Sequence, residues 1–224
     1  CKSLMDISSP LQSLQNYIEK EQFAGYDPYD ALNSPLLSLL IFRNKYIRIA
    51  FIQLLKRLPV NLRPFLLVKK DYNPKGLGLF LWGYAKLYAV ENDPSCLARI
   101  DMLLELLEGL KSCGSSGNGW GYNFDWQSRA FFVPKGTPTV VNSAFIGHAL
   151  IDVWKITATE RALEMALPIA EFILRDLNRL VEGDGNFCFS YTPIDRYFVH
   201  NANLLGASLL IRLHKETGIQ EYKT

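Results

Sequence analysis

"NSAFIGHALIDVWKIT" (142–157) and "NANLLGASLLIRLHKE" (201–216) are two copies of one pattern. Each opens on Asn, passes four residues to a Gly and continues as an apolar helix. The copies lie about 59 residues apart, a length that fits one helical hairpin plus a long loop. "GLFLWGYAKLYAV" (78–90) has the same character without the Asn. All three are rich in small and apolar residues and nearly free of charge in their middles, which predicts helices buried on most sides. Between them, "DPSCLARIDMLLELLEGLKS" (93–112) and "TERALEMALPIAEFILRDLNRLV" (159–181) carry charge on one face, as surface helices do. Buried and surface helices therefore alternate, and hairpins that alternate in this way close into an (α/α) toroid.

The remaining segments agree with an all-α fold. Helices are expected over 9–22 and 34–58, both opening on Ser-Pro. The second should break near Asn44. "NFCFSY" (186–191) is the single strand-like stretch. We take 1–224 as one domain, with 49% apolar residues to fill its core. Net charge is only +2 and no basic block occurs, which argues against a nucleic-acid partner. The longest apolar run, "SPLLSLLIF", is too short to span a membrane. Cys1, Cys96, Cys113 and Cys188 form neither a disulfide framework nor a zinc spacing. A reducing, cytoplasmic setting is the simpler reading, with a removed signal left open because the chain begins at Cys1. No metal motif or phosphate-binding glycine loop is present, so no cofactor is expected.

The alternation resembles the (α/α)-toroid superfamilies: six-hairpin glycosidases and lyases, sugar epimerases and terpenoid cyclases. More closely, "FAGYDPYDALNSPLL", "NPKGLGLF", "GWGYNFDWQSR" and "VHNANLLGA" resemble bacterial toroid proteins of polysaccharide-biosynthesis clusters. The resemblance implies the toroid and carries no established reaction. A full six-hairpin toroid needs about twelve helices, and eight or nine are legible here. The expectation is an incomplete toroid or a fragment of one, ending in "GIQEYKT" as the first turn of a further surface helix. Exposed flanks of the terminal helices should then show as self-association or as a groove beside 200–218.

Inner helices of a toroid run parallel, so the loops before them share one rim. The stretches before 34, 73, 139 and 200 each combine Tyr with Asp, and the two longest add Trp or Phe with Arg. "GNGWGYNFDWQSR" (117–129) is the densest of them. Aromatic faces, carboxylates and an arginine suit a sugar, and helix N-termini favour anionic or hydroxyl-rich ligands. The expected catalytic residues are Asp125, Asp195 and His200. The expected binding residues are Trp120, Tyr122, Trp126, Arg129, Arg196, Asn201, Tyr26 and Asp27. Against this stand structural readings. Asp125 and Asp195 would brace their loops through Arg129 and Arg196. Asp27 and Asp30 would cap turns. Trp120, Tyr122 and Trp126 would form loop core, and His200, like His148, would be packing. "GDGNF" (183–187) reads as a turn, and no Ser/His/Asp or Cys/His arrangement is legible. The functional expectation is a hydrolase, lyase or epimerase acting on a carbohydrate. A non-catalytic carbohydrate-binding or scaffold protein is the alternative, and a terpenoid cyclase-like enzyme is third. A glycosidase would need two carboxyl groups about 5–5.5 Å or about 6.5–9.5 Å apart.

Overall fold

The computed structural model describes residues 8–37, 44–181, 185–197 and 199–223. Its helices are α1 (Ser8–Lys20), α2 (Lys45–Arg57), α3 (Pro74–Glu91), α4 (Ser95–Gly109), α5 (Val140–Thr157), α6 (Glu160–Ala166), α7 (Pro168–Glu171) and α8 (His200–Thr217). A π turn, Phe172–Asp176, continues α7. The sheet content is two small antiparallel hairpins. One pairs β1 (Trp126–Gln127) with β2 (Phe132–Val133), and the other pairs β3 (Arg179–Val181) with β4 (Phe187–Phe189).

The helix starts follow from capping chemistry. Asn73 accepts from the amides of Lys75 and Gly76, with Pro74 at the first helical position. Thr139 caps α5 through the amide of Asn142, and Asn44 caps α2 through Tyr46 and Ile47. The break expected near Asn44 is thus a new helix start. Residues 38–43 of the segment expected to precede it lie outside the described set.

α3, α5 and α8 form the inner row, and their order of contacts shows that they run parallel. A Cβ at Gly78 would lie 2.8 Å from Ile146 Cγ1, and further along the two helices Trp82 meets Asp152. On the other flank of α5, Val140 meets Gly206, Gly147 meets Leu209, and Lys155 pairs with Glu216. α4 packs on α3, and α6 on α5, as an outer layer. The core between the layers is apolar, with Leu77, Leu81, Ile100, Leu104, Leu150 and Phe172 at most 1% exposed. Inner and outer helices therefore alternate in an all-α, toroid-like arrangement. α1 runs antiparallel to α3 on its free flank, tied by the Tyr84 hydroxyl to Glu19 (2.9 Å) and by Phe23 against Phe80.

A charged cluster ties the inner row together. Asp152 of α5 accepts from the Trp82 indole of α3 at 2.7 Å and pairs with Lys86 of α3 and Arg212 of α8. Burial works against its charge, but the hydrogen bonds from Lys86, Arg212 and Trp82 outweigh it and hold the carboxyl at about 2.

Two expectations need correction. The helix expected over 159–181 stops at Asp176, because the backbone of Arg179–Val181 is taken by the β4 ladder and Asn178 turns its amide to the carbonyls of Pro193 and Asp195. Tertiary pairing overrides local helix preference there. α2 is not a fourth member of the inner row: it packs on the 3-10 turn Asp30–Asn33 and on β1, around a small second core of Ala31, Ile52 and Leu55. The chain end forms a 3-10 turn, Gln220–Lys223, packed on α8. A groove of about 480 Å³ runs beside α8, with Leu204 66% exposed and Ile211 50% exposed. No helix among the described residues is long and apolar enough to cross a membrane.

Candidate functional site

The segment "GYDPYD" is laid over the N-terminus of α3 by a two-way backbone bridge between Gly25 and Asp71 (3.1 and 3.0 Å). Its shape is set locally. Asp27 Oδ1 accepts from the Tyr29 amide at 2.9 Å, an Asx turn, and Oδ2 accepts from Asn73 Nδ2 at 2.9 Å. Asp30 accepts from the Asp27 amide, and Arg63 locks the turn by donating to Asp30 Oδ1 (2.7 Å) and to the Asp27 carbonyl (2.9 Å).

Beneath this segment lies a cavity of about 330 Å³. Its wall includes Tyr26, Asp27, Asp71, Asn73, Phe80 and Asn123. Burial, the largest influence, raises the Asp27 carboxyl above its ordinary value despite the donors of Tyr29 and Asn73. Asp71 is more open and pairs with Lys135 at 3.2 Å. The amide oxygen of Asn123 is buried without a protein partner. Two carboxyl groups in different environments, an aromatic ring and an unfilled amide acceptor thus meet in one concave space.

The loop 117–133 turns most of its aromatic side chains inward. Trp120 is fully buried, and its indole donates to the Leu107 carbonyl at 2.7 Å. Gly117 is there because a Cβ would come within 1.9 Å of the Pro168 carbonyl oxygen. The Tyr122 and Tyr191 hydroxyls bond at 2.6 Å. Tyr122 stacks on Phe124, Trp126 packs edge-on to Tyr122 and Phe131, and Phe131 stacks on Tyr197. These rings form a small aromatic core that joins the 120s loop to the 190s loop.

The ionisable residues of those loops are placed as follows. Asp195 is 6% exposed and accepts from the amides of Tyr191, Thr192 and Tyr197 and from the Thr192 hydroxyl. Asp125 Oδ1 accepts from the Lys135 amide at 2.7 Å. Among the described residues neither aspartate pairs with Arg129 or Arg196, both of which are exposed. The bracing expected from arginine comes from backbone N–H groups instead. His200 and Asn201 are exposed at the start of α8. The fold places Cys188 Sγ 3.7 Å from His200 Nδ1, a proximity the sequence does not reveal. Part of the "GDGNF" turn, residues 183–184, lies outside the described set. Of the expected site residues, Tyr26 and Asp27 reach the cavity. Asp71, Asn73 and Asn123 join them unexpectedly, although Asp71 and Asn73 stand in a rim stretch, "VKKDYNP", that the spacing already marks. Among the described residues no group of three His, Cys, Asp or Glu side chains could hold a metal ion.

No family model matches the chain, and no curated protein matches it. Among solved structures it is similar to the GH76A alpha-1,6-mannanase from Salegentibacter sp. HEL1_6, with a TM-score of 0.47 and 15% identity over 88% of this chain and 57% of that one. It is also similar to a family 76 glycoside hydrolase from a bovine Bacteroides thetaiotaomicron strain, with a TM-score of 0.46 and 15% identity over 87% of this chain and 43% of that one. The chain spans about half the length of each.

Proposed function

We propose that the protein is carbohydrate-active and takes a sugar unit in the cavity under Tyr26 and Asp27. The observation that carries this reading is the placement of two carboxyl groups in one cavity wall: the more enclosed Asp27, held by Tyr29 and Asn73, and the more open Asp71, paired with Lys135. Two carboxyl groups in different surroundings are what acid–base work on a glycosidic or sugar C–H bond uses. Asn73 and Asn123 supply amide groups for hydroxyls, and Tyr26 and Phe80 supply apolar faces. Asp125 enters as a positioning residue: it holds the Lys135 backbone, and Lys135 pairs with Asp71. Hydrolysis, elimination and epimerisation all fit this arrangement. Asp195 braces its loop in this reading. A role in polysaccharide biosynthesis and a cytoplasmic setting belong to the same proposal.

The test is calorimetric titration with neutral hexose oligosaccharides of two to four units, followed by assay for new reducing ends, double bonds or epimers. Asp27→Asn and Asp71→Asn should each lower turnover by at least about a hundredfold, the low end of acid–base contributions. Binding that survives in both variants, with no turnover in any form, would assign the cavity to a binding module. Sugar binding unaffected by either change would remove the cavity from consideration.

A further inference from the structure

The inner row presents a second chemical surface. Its stripe runs down α5 through Phe145, His148, Asp152 and Lys155, spaced three, four and three residues apart, so the side chains share one helix face. Ten residues of helix make it about 15 Å long. Neighbouring helices add to it at each level. Lys75 of α3 sits over the Phe145 ring at 4.4 Å. Trp82 and Lys86 of α3 and Arg212 of α8 converge on Asp152. At the lower end Lys155 pairs with Glu216.

The charge balance is uneven. Lys86 and Arg212 face Asp152, Lys155 faces Glu216, and Lys75 is within the electrostatic reach of Asp27, so four cations meet three carboxylates. His148 adds no fourth negative or fifth positive charge. Arg212 has only N–H groups to offer, so His148 Nδ1, 3.3 Å away, accepts and the ring proton sits on Nε2 as a further donor. The cationic ends are within reach of solvent: the Lys86 side chain is 58% exposed and that of Arg212 24% exposed. Surplus positive charge over half-buried aromatic rings, drawn out along a helix, suits a chain molecule that alternates apolar sugar faces with anionic substituents.

We propose that this stripe makes the protein selective for an anionic saccharide, one bearing carboxylate groups, lying along the inner face of α3, α5 and α8. The inference rests on the carbohydrate reading of the rim cavity and adds the charge of the substrate to it. A single-stranded nucleic acid is the less suitable polyanion: it carries a charge on every unit, against a surplus of one along the stripe.

The experiment compares a uronate-containing tetrasaccharide with its carboxyl-reduced, neutral counterpart, on the full chain, by calorimetry. At about 20 mM salt the charged form should bind at least tenfold tighter, and the gap should shrink at about 0.5 M as screening rises. The double variant Lys75→Gln/Lys86→Gln should abolish the gap while leaving affinity for the neutral sugar unchanged. Arg212 and Trp82 still hold Asp152 in that variant, and circular dichroism checks its fold. Equal binding of the two sugars by the wild type, or a gap that survives in the double variant, overturns the inference and leaves the rim cavity untouched. So does an oligonucleotide of matched charge that binds as tightly with the same variant dependence, since the surface would then be a general polyanion site. Failure of both sugars to bind sinks the carbohydrate reading and this inference with it.

Discussion

Replacing Asp152 with Asn tests how the inner row is held together. The side chain is a carboxylate shared by α3, α5 and α8, and the residue is 8% exposed. The substitution keeps the volume and an acceptor for the Trp82 indole but removes the charge that Lys86 and Arg212 approach. Lys86 can turn to water; Arg212, 24% exposed, is less able to. The folded carboxyl lies near 2 against an ordinary value of 3.8, and that gap corresponds to about 2 kcal/mol of stability. In domains of this length each kcal/mol moves Tm by about 2–4 °C, so Asp152→Asn should melt about 4–8 °C lower at neutral pH. The sign with pH follows from the depressed folded value. The wild-type advantage is complete above the unfolded value of 3.8 and is lost as pH falls through about 2. Urea unfolding of both proteins from about pH 6 down to about pH 2 measures it. An equal gap at both ends of that range, or none at pH 6, would refute the electrostatic account and leave only packing.

Asp27→Asn should act in the opposite sense: burial raises the folded carboxyl, so its contribution to stability declines as pH rises through that value. The variant should melt higher than wild type near pH 7 and equal it near pH 3, in the same samples that have lost sugar turnover. Asp195→Ala leaves three amides and a hydroxyl without their acceptor. At about 1–3 kcal/mol for each group that stays dry, urea midpoints should drop severely, with ligand present or absent. Gly78→Ala drives a Cβ to 2.8 Å from Ile146 Cγ1 and 3.4 Å from its Cα, and should cost about 1–3 kcal/mol by overpacking, read from the same denaturation curves.

The sequence by itself determined the helices and their layering. Periodicity and cap residues are local: Asn73-Pro74 starts α3, Thr139 starts α5, and the nearly charge-free middles of both helices require burial on most sides. The repeat of Asn142–Gly147 in Asn201–Gly206 marks two equivalent inner helices, and a Cβ at either glycine would run into the neighbouring helix, into Leu209 at Gly147 and Val140 at Gly206. The rim stretches were legible too, because a loop that precedes a buried helix has nowhere else to go. What each rim residue does was decided only by the tertiary structure. Trp120, Tyr122 and Trp126 look the same in sequence whether they line a pocket or join two loops, and the choice depends on Tyr191 and Phe131 arriving beside them. Asp195 could have been a free carboxylate; the backbone donors that occupy it point inward only because its own loop curls around it. Asp27 and Asp71 are 44 residues apart and meet through one Gly25 bridge. Asp152, Lys86 and Arg212 look like three unrelated helix residues until parallel packing sets them at one height. Local chemistry is written in short-range spacing, whereas the pairing of distant carboxylates and cations is a property of the packed chain.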